Sequence, residues 1–283
     1  MGQLRIIIKL LLLSMMVVSC TERIDVRLDE NYTRLVVDGS VSTDKMAHKV
    51  VLSMTSDYFY NMPPEMVTGA SVTITDGALI QVLTEGLPGV YSTDPDYFGE
   101  AGHTYTLNIL LTDPIGGFTD YTASSTLKPV ASLDSIGLEY HDEWEDYTFW
   151  YVNGYLQDPP TTDYYRCLIL KNSHMITDTL FEWYVTDDKY FNGNYISGAT
   201  IGYLEQYYAN EVLAAGDTVT AEINGIEKEY ATFIWDAQTE IWGSNPLFSG
   251  PRANIKGNIS NGAIGFFAAY SITRASVIAP EYK

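Results

Sequence analysis

Cysteine is almost missing from this 283-residue chain: there are two, Cys20 and Cys167. Two cysteines build no disulfide framework, and their settings differ. Cys20 ends an apolar run at the extreme N-terminus, whereas Cys167 sits in the strand-like stretch Tyr164–Leu170. Cys167 therefore reads as a small buried hydrophobe. Histidine is scarce too. His48, His103, His141 and His174 lie far apart, and no spacing among them supports a metal site. Basic residues number 16 against 36 acidic ones, a net charge of -20. Such a chain repels nucleic acid and anionic lipid faces, which excludes both as partners. The recurrent catalytic signatures are absent: no HExxH, no GxSxG, no P-loop and no CxxC pair. No apolar run is long enough to span a bilayer, which needs about 20 residues. The N-terminal run is interrupted by Lys9.

That run has a use of its own. Arg5 and Lys9 give a positive start, Leu10 to Val18 an apolar core, and Ser19 a small residue before Cys20. This is the pattern of a secretory signal peptide. Val17-Val18-Ser19-Cys20 also resembles a bacterial lipobox, which implies cleavage after residue 19 and a lipid on Cys20. Removal of residues 1–19 takes Arg5 and Lys9 and no acid, leaving 14 basic against 36 acidic residues and a net charge of -22. Body lysines are few and scattered, so membrane attachment is expected through the lipid and not through a basic patch.

The chain is hydrophobic enough, at 46%, to pack a core, and its 22 tyrosines with many Thr, Val and Ile favour strands. Residues 20–33 read as a tether. Strand candidates follow at 34–41 and 49–55, then Ala70–Ile74, where apolar and polar residues alternate between Gly69 and Asp76-Gly77. Leu79–Leu83, Gly89–Tyr91, His103–Leu111 and Tyr121–Ser124 complete a series of short strands, expected to form an antiparallel sandwich over 34–128. His103 falls at a strand edge. "VTGASVTITDG", "GVYS" and "AGHTYTLNILL" resemble Ig-like and carboxypeptidase-regulatory-like surface modules, which bind or space and do not catalyse.

Leu127-Lys128-Pro129-Val130 is the expected boundary, since Pro129 holds Lys128 extended. A second β-rich domain then covers 129–283. Its strand candidates are Ser135–Tyr140, Thr148–Leu156, Tyr164–Lys171, Leu180–Val185, Thr218–Ile223 and Ala263–Thr273, the last entered through a tight Asn261-Gly262 turn. One amphipathic helix is predicted at 227–242: Tyr230, Phe233, Ile234, Ala237 and Ile241 recur at three and four spacing. Glu227 and Glu229 occupy its first turn and Gly243 its end. The order of lipobox, "LVVDGSVS", "VTGASVTITDG", "DDKYFNGN", "AAGDTVTAEINGI", tyrosine-bearing helix and "NPLFSGPRANIKGNISNGAIGFFAAYS" resembles a Bacteroidota outer-membrane lipoprotein family known as domain of unknown function 4249. The likeness covers nearly the whole processed chain. It implies an outer-membrane lipoprotein, often paired with a TonB-dependent transporter, and it carries over no catalytic residue.

Acid clusters come first among candidate sites. Asp142 to Asp146 and Asp187-Asp188 with Asn192-Gly193-Asn194 offer oxygen ligands for calcium, but neither has the EF-hand pattern. The first reads as a solvated loop, the second as a hairpin turn, and no metal or cofactor is assigned. Aromatic residues are the larger surplus. Tyr58, Phe59 and Tyr60, beside Pro63-Pro64, either form a contact loop, because aromatic anchors dominate interfaces, or pack in the core. Trp150 in Phe149-Trp150-Tyr151, Trp183-Tyr184 and Tyr207-Tyr208 either line a groove for a sugar or planar chelate, or pack in the core. Phe248, in the Pro-rich closing loop, is either structural or a docking contact for a transporter. The leading expectation is a non-enzymatic binding subunit of a TonB-dependent uptake system. The alternatives are a structural or adhesive surface lipoprotein and a hydrolase using paired carboxylates.

Overall fold

The computed structural model describes residues 33–56, 63–144, 147–242 and 255–281. Cys20, Tyr58, Phe59, Tyr60 and Phe248 lie outside the described residues.

The fold is mostly β. In chain order the strands are β1 (Leu35–Ser42), β2 (Lys49–Met54), β3 (Ser71–Thr75), β4 (Ile80–Val82), β5 (Thr84–Glu85), β6 (Val90–Ser92), β7 (Thr104–Ile115) and β8 (Phe118–Thr126). They continue as β9 (Leu133–Trp144), β10 (Tyr147–Gln157), β11 (Tyr164–Lys171), β12 (His174–Met175), β13 (Tyr184–Asp187), β14 (Tyr195–Glu205), β15 (Thr218–Ile226) and β16 (Ile264–Ile278). A 3-10 turn covers Leu180–Glu182 and the helix α1 covers Lys228–Trp242.

Alternation places the first core. Leu35, Val37 and Val41 of β1 and Val50 and Leu52 of β2 are fully buried. They face Val72 and Ile74 of β3, Leu107 and Ile109 of β7, and Tyr121 of β8 in one cluster. Side chains two apart on a strand share a face, so each strand buries one row and leaves the other wet. β4, β3, β7 and β8 form one sheet in that order.

The second core has the same plan with different strands. β14, β10 and β9 form a three-stranded sheet. Its Trp150, Val152 and Leu204 pack on Tyr165, Cys167 and Ile169 of β11 and on Val219, Ala221 and Ile223 of β15. Leu127 is buried in the first core, whereas Val130 and Ala131 pack into the second.

One long sheet serves both cores, in the order β12-β11-β15-β16-β1-β2-β6-β5, with β13 also on β11. β16 makes the connection by changing partner half-way. Residues 264–270 run parallel to Val36–Ser42 of β1. Ser271 to Ile278 run antiparallel to Gly225 to Thr218 of β15. Phe267 and Ala269 thus enter the first core, and Ala275 and Val277 pack against the second. Burying a side chain of the size of Phe267 contributes about 1.5–3 kcal/mol. The parallel stretch depends on Gly265, at φ +104°: a Cβ there would lie 1.9 Å from the Val37 carbonyl oxygen. A positive φ and backbone contact together admit only glycine.

The predicted helix forms, one residue shorter at its start than expected. Ala231 and Ile234 are fully buried, and with Phe233 and Tyr230 they pack over Ile226, Tyr164, Trp183 and Tyr270. The far end of the stripe does not bury: Ile241 is exposed. Leu180–Val185, expected as a strand, is a 3-10 turn leading into β13. The stretch at 188–194, expected as a hairpin turn, is a crossover. The strands it joins belong to different sheets, since β13 pairs with β11 and β14 with β10. Asn261 and Gly262 do make a tight turn, with φ of 56° and 73°. His103 sits just before β7 and pairs with Asp76 at 3.3 Å.

Candidate functional site

β11 is buried on both faces. Tyr165, Cys167 and Ile169 point into the second core, and Arg166 between them points to the opposite face, beneath α1. A buried guanidinium must keep its hydrogen bonds. Arg166 donates from Nε and Nη2 to Asn224 Oδ1 at 2.9 and 2.7 Å, and from Nη1 to the Tyr230 hydroxyl at 3.1 Å. Its carbon lies 4.5 Å from the Trp183 ring centre and 4.6 Å from that of Tyr270. Asn224 donates in turn to Glu222, and Arg274 donates to both Glu222 and Asp44. This polar chain ties α1, β11, β15, β16 and the turn after β1 into one frame.

The frame holds one wall of a groove. The groove has a volume of about 1250 Å³. Its floor is Cys167 and Ile169 of β11, its far side 200–205 of β14, and its near wall residues 181–184 with Trp235, Gln238 and Thr239 of α1. β14 comes so close to β11 because residue 202 is glycine: a Cβ there would meet Ile169 at 2.7 Å. The wall is fixed by its own bonds. Trp183 Nε1 donates to Thr177 O at 3.2 Å, Trp235 Nε1 to Val185 O at 3.2 Å, and Gln238 Nε2 to the carbonyls of Leu180 and Trp183. Both indole N–H groups are therefore satisfied within the wall.

Three carboxylates line the same groove: Glu182, Glu205 and Glu211. Glu211 Oε2 accepts from the Glu205 backbone N–H at 2.6 Å, which folds the 206–213 loop over the end of β14. Burial raises the Glu211 carboxyl above the usual carboxylate range; that bond opposes the rise, and the charges of Glu205 and Glu182 add to it. Burial pushes the Cys167 thiol to about 12, so it is no nucleophile at neutral pH.

A second polar cluster lies at the opposite end of β11. The carboxylate oxygens of Asp158, Asp163 and Asp188 all fall within 4.8 Å of one another. Asp158 accepts from the Tyr165 hydroxyl at 2.7 Å and from Gly193 N at 3.0 Å, and Asp188 from Asp163 N at 3.0 Å. Burial, with the charges of Asp158 and Asp163, raises the Asp188 carboxyl against the pull of the Asp163 N–H. Three such oxygens are ligands of the kind a hard divalent cation takes. Here protein donors already occupy them.

A family model, Domain of unknown function (DUF4249), matches residues 21–276. The chain belongs to this family. A search of curated proteins finds no match. In this DUF4249 chain Trp183 lines the groove, together with its sequence neighbour Tyr184 and with Tyr208. Trp150 does not: it is 7% exposed and packs edge-on against Tyr140 inside the second core, at 5.1 Å between ring centres. The sequence reading missed Trp235, Glu205 and Glu211. Trp235 stands in the predicted helix, between two residues of its apolar stripe, and a tryptophan beside a core stripe was the available signal. Glu205 and Glu211 belong to a strand and loop that were not foreseen. Among the described residues no helix is long and apolar enough to cross a membrane.

Proposed function

We propose that this DUF4249 chain is a binding protein and that the groove between β14, β11 and α1 holds its ligand. The carrying observation is a concave, rigidly held wall of aromatic rings over a floor of buried strand residues. Ligand sites are typically clefts with apolar and aromatic linings and a few polar groups. A concave, aromatic-lined groove of this kind favours capture over a purely adhesive role, which calls for a flat aromatic patch.

The cellular setting belongs to the same proposal. The signal pattern and lipobox at 1–20 support a lipoprotein anchored at Cys20 in the outer membrane, with the 34–128 sandwich read as an Ig-like spacer. The family resemblance supports a role as accessory subunit of a TonB-dependent transporter. The test is co-purification. Outer membranes are solubilised in mild detergent, a tag at Lys283 is pulled, and Cys20→Ala serves as the unanchored control. A transporter recovered in near-equal amount, and lost with Cys20→Ala, supports the reading. Recovery of the chain alone from the same membranes sinks the stable complex.

A hydrolase remains the second reading, favoured by one observation. Glu182, Glu205 and Glu211 share one cleft, and Glu211 is raised by burial, as a general acid requires. Loss of turnover in Glu211→Gln, on a substrate found to bind the groove, would establish it.

A further inference from the structure

The lining of the groove restricts what can occupy it. Its charged members among the described residues are Glu182, Glu205 and Glu211; no lysine, arginine or histidine lines it. The nearest guanidinium, Arg166, lies behind Trp183 and spends its donors on Asn224 and Tyr230. Lys171 spends its ammonium on the carbonyls of Asn210 and Val212 and on Asp217. The neutral donors turn inward as well. Gln238 bonds two backbone carbonyls, Thr239 the Trp235 carbonyl, and Thr200 Asn153 Oδ1. What faces outward is carboxylate oxygen, aromatic ring and the exposed Asn210; Glu182 and Glu211 each give one oxygen to a backbone N–H, of Thr179 and Glu205. Tyr184, Tyr203 and Tyr208 are each about half exposed, at 45%, 55% and 49%.

We propose that the groove binds a basic peptide segment of another protein, seating its lysine or arginine side chains between these carboxylates and tyrosine faces. The inference rests on the binding role proposed above. Charge decides the sign. Three carboxylates without a lining cation, in a chain of net charge -20, repel anions and leave a cation's donors well matched. Ring chemistry agrees, because guanidinium and ammonium groups are drawn to aromatic faces. Size decides between a metabolite and a segment. The groove's roughly 1250 Å³ exceeds the roughly 300–1,000 Å³ of a small-molecule site. Trp183 already carries Arg166 on one face, and its neighbour Tyr184, 45% exposed, presents a second ring.

The test uses the purified full chain and fluorescein-labelled octapeptides in which arginine, glutamine or glutamate alternates with tyrosine. Binding is read by anisotropy. The arginine peptide is expected to bind at least tenfold more tightly than the glutamine peptide, and the glutamate peptide not at all. Combined Glu205→Gln and Glu211→Gln should weaken the arginine peptide by about tenfold or more, the effect of losing close interfacial charge pairs. Asp113→Asn with Asp120→Asn, which removes the same charge from an exposed distant hairpin, should change it less than about twofold. Tyr184→Ala and Tyr208→Ala, at exposed positions that leave the core intact, should also weaken it.

Equal loss from both acidic pairs would reduce the binding to bulk attraction and overturn the proposal. Competition by spermidine at the affinity of the peptide would replace the peptide occupant with a small amine. Tight binding of the glutamine peptide or of a neutral hexasaccharide, lost in Tyr184→Ala, would overturn the cation inference and leave the groove as a binding site. Failure of every probe would remove the binding role as well.

Discussion

Replacing Arg166 with methionine tests whether the polar frame under α1 holds the fold or merely tolerates a buried charge. Arg166 is 4% exposed and Asn224 is fully buried. The substitution removes two charge-assisted bonds to Asn224 and one to Tyr230, each worth about 1.5–3 kcal/mol, and the Trp183 and Tyr270 ring contacts. Against this stands the desolvation cost of the guanidinium, several kcal/mol, which methionine does not carry. Glu222 keeps Arg274 at 2.6 Å, so no lone buried anion is created. Leaving the buried Asn224 Oδ1 without its donors costs about 1–3 kcal/mol. For a unit of this size that is a fall of about 2–12 °C in Tm. Differential scanning calorimetry measures it. Adding Asn224→Leu to Arg166→Met should recover part of the loss, because removing both partners leaves fewer orphaned polar groups. A shift below about 2 °C for Arg166→Met alone would refute the reasoning: the charge would then be no better than an apolar side chain of the same length.

Four further outcomes are expected. Gly265→Ala forces a Cβ into the Val37 carbonyl at positive φ, and should cost more than about 3 kcal/mol or prevent folding, read as soluble yield and Tm. Burial holds His48 below the usual imidazole range, partly offset by its bonds to Asp44 and Tyr97. Its contribution is therefore present above about pH 6.5 and lost as pH falls through the folded value, so His48→Gln should flatten that part of the urea-midpoint profile against wild type. Asp188 is displaced upward, so its ionisation weakens the fold as pH rises. In EDTA-treated protein, Asp188→Asn should raise Tm at pH 7 and leave it unchanged near pH 3, and a fall at pH 7 would contradict the repulsion inferred among Asp158, Asp163 and Asp188. Cys167, buried and with its thiol near 12, should resist iodoacetamide in the native chain and react at once in denaturant.

Local pattern carried much of this fold. Alternation at Val72 and Ile74, and from Tyr105 to Leu111, put the buried row on the correct side. Three-and-four spacing located α1 to within one residue. What escaped was everything set by partners distant in sequence. β16 reads locally as one apolar strand, and nothing in it announces that it changes neighbour at Ser271. β14 escaped because Gly198 and Gly202 interrupt its pattern and its outer row stays half wet. The groove was half legible for the same reason. Trp183-Tyr184 and Tyr207-Tyr208 stood out by composition. The choice between groove and core for each aromatic depends on which sheet covers it, and Trp150 and Trp183 look alike until β14 is placed. The cluster of Asp158, Asp163 and Asp188 shows this too, since a turn after β10 and a crossover after β13 meet only in the fold.

The shared strand has a consequence for the timing of folding. β16 pairs with β1 across more than 220 residues of chain, and completes both cores. Until 264–278 have been synthesised, β1 and β15 each lack a neighbour, and neither half of the long sheet is closed. Contacts of such long separation form late, because loop closure must come first. The sheet between residues 35 and 226 thus stays unclosed while the chain is being made, and locks only when β16 arrives.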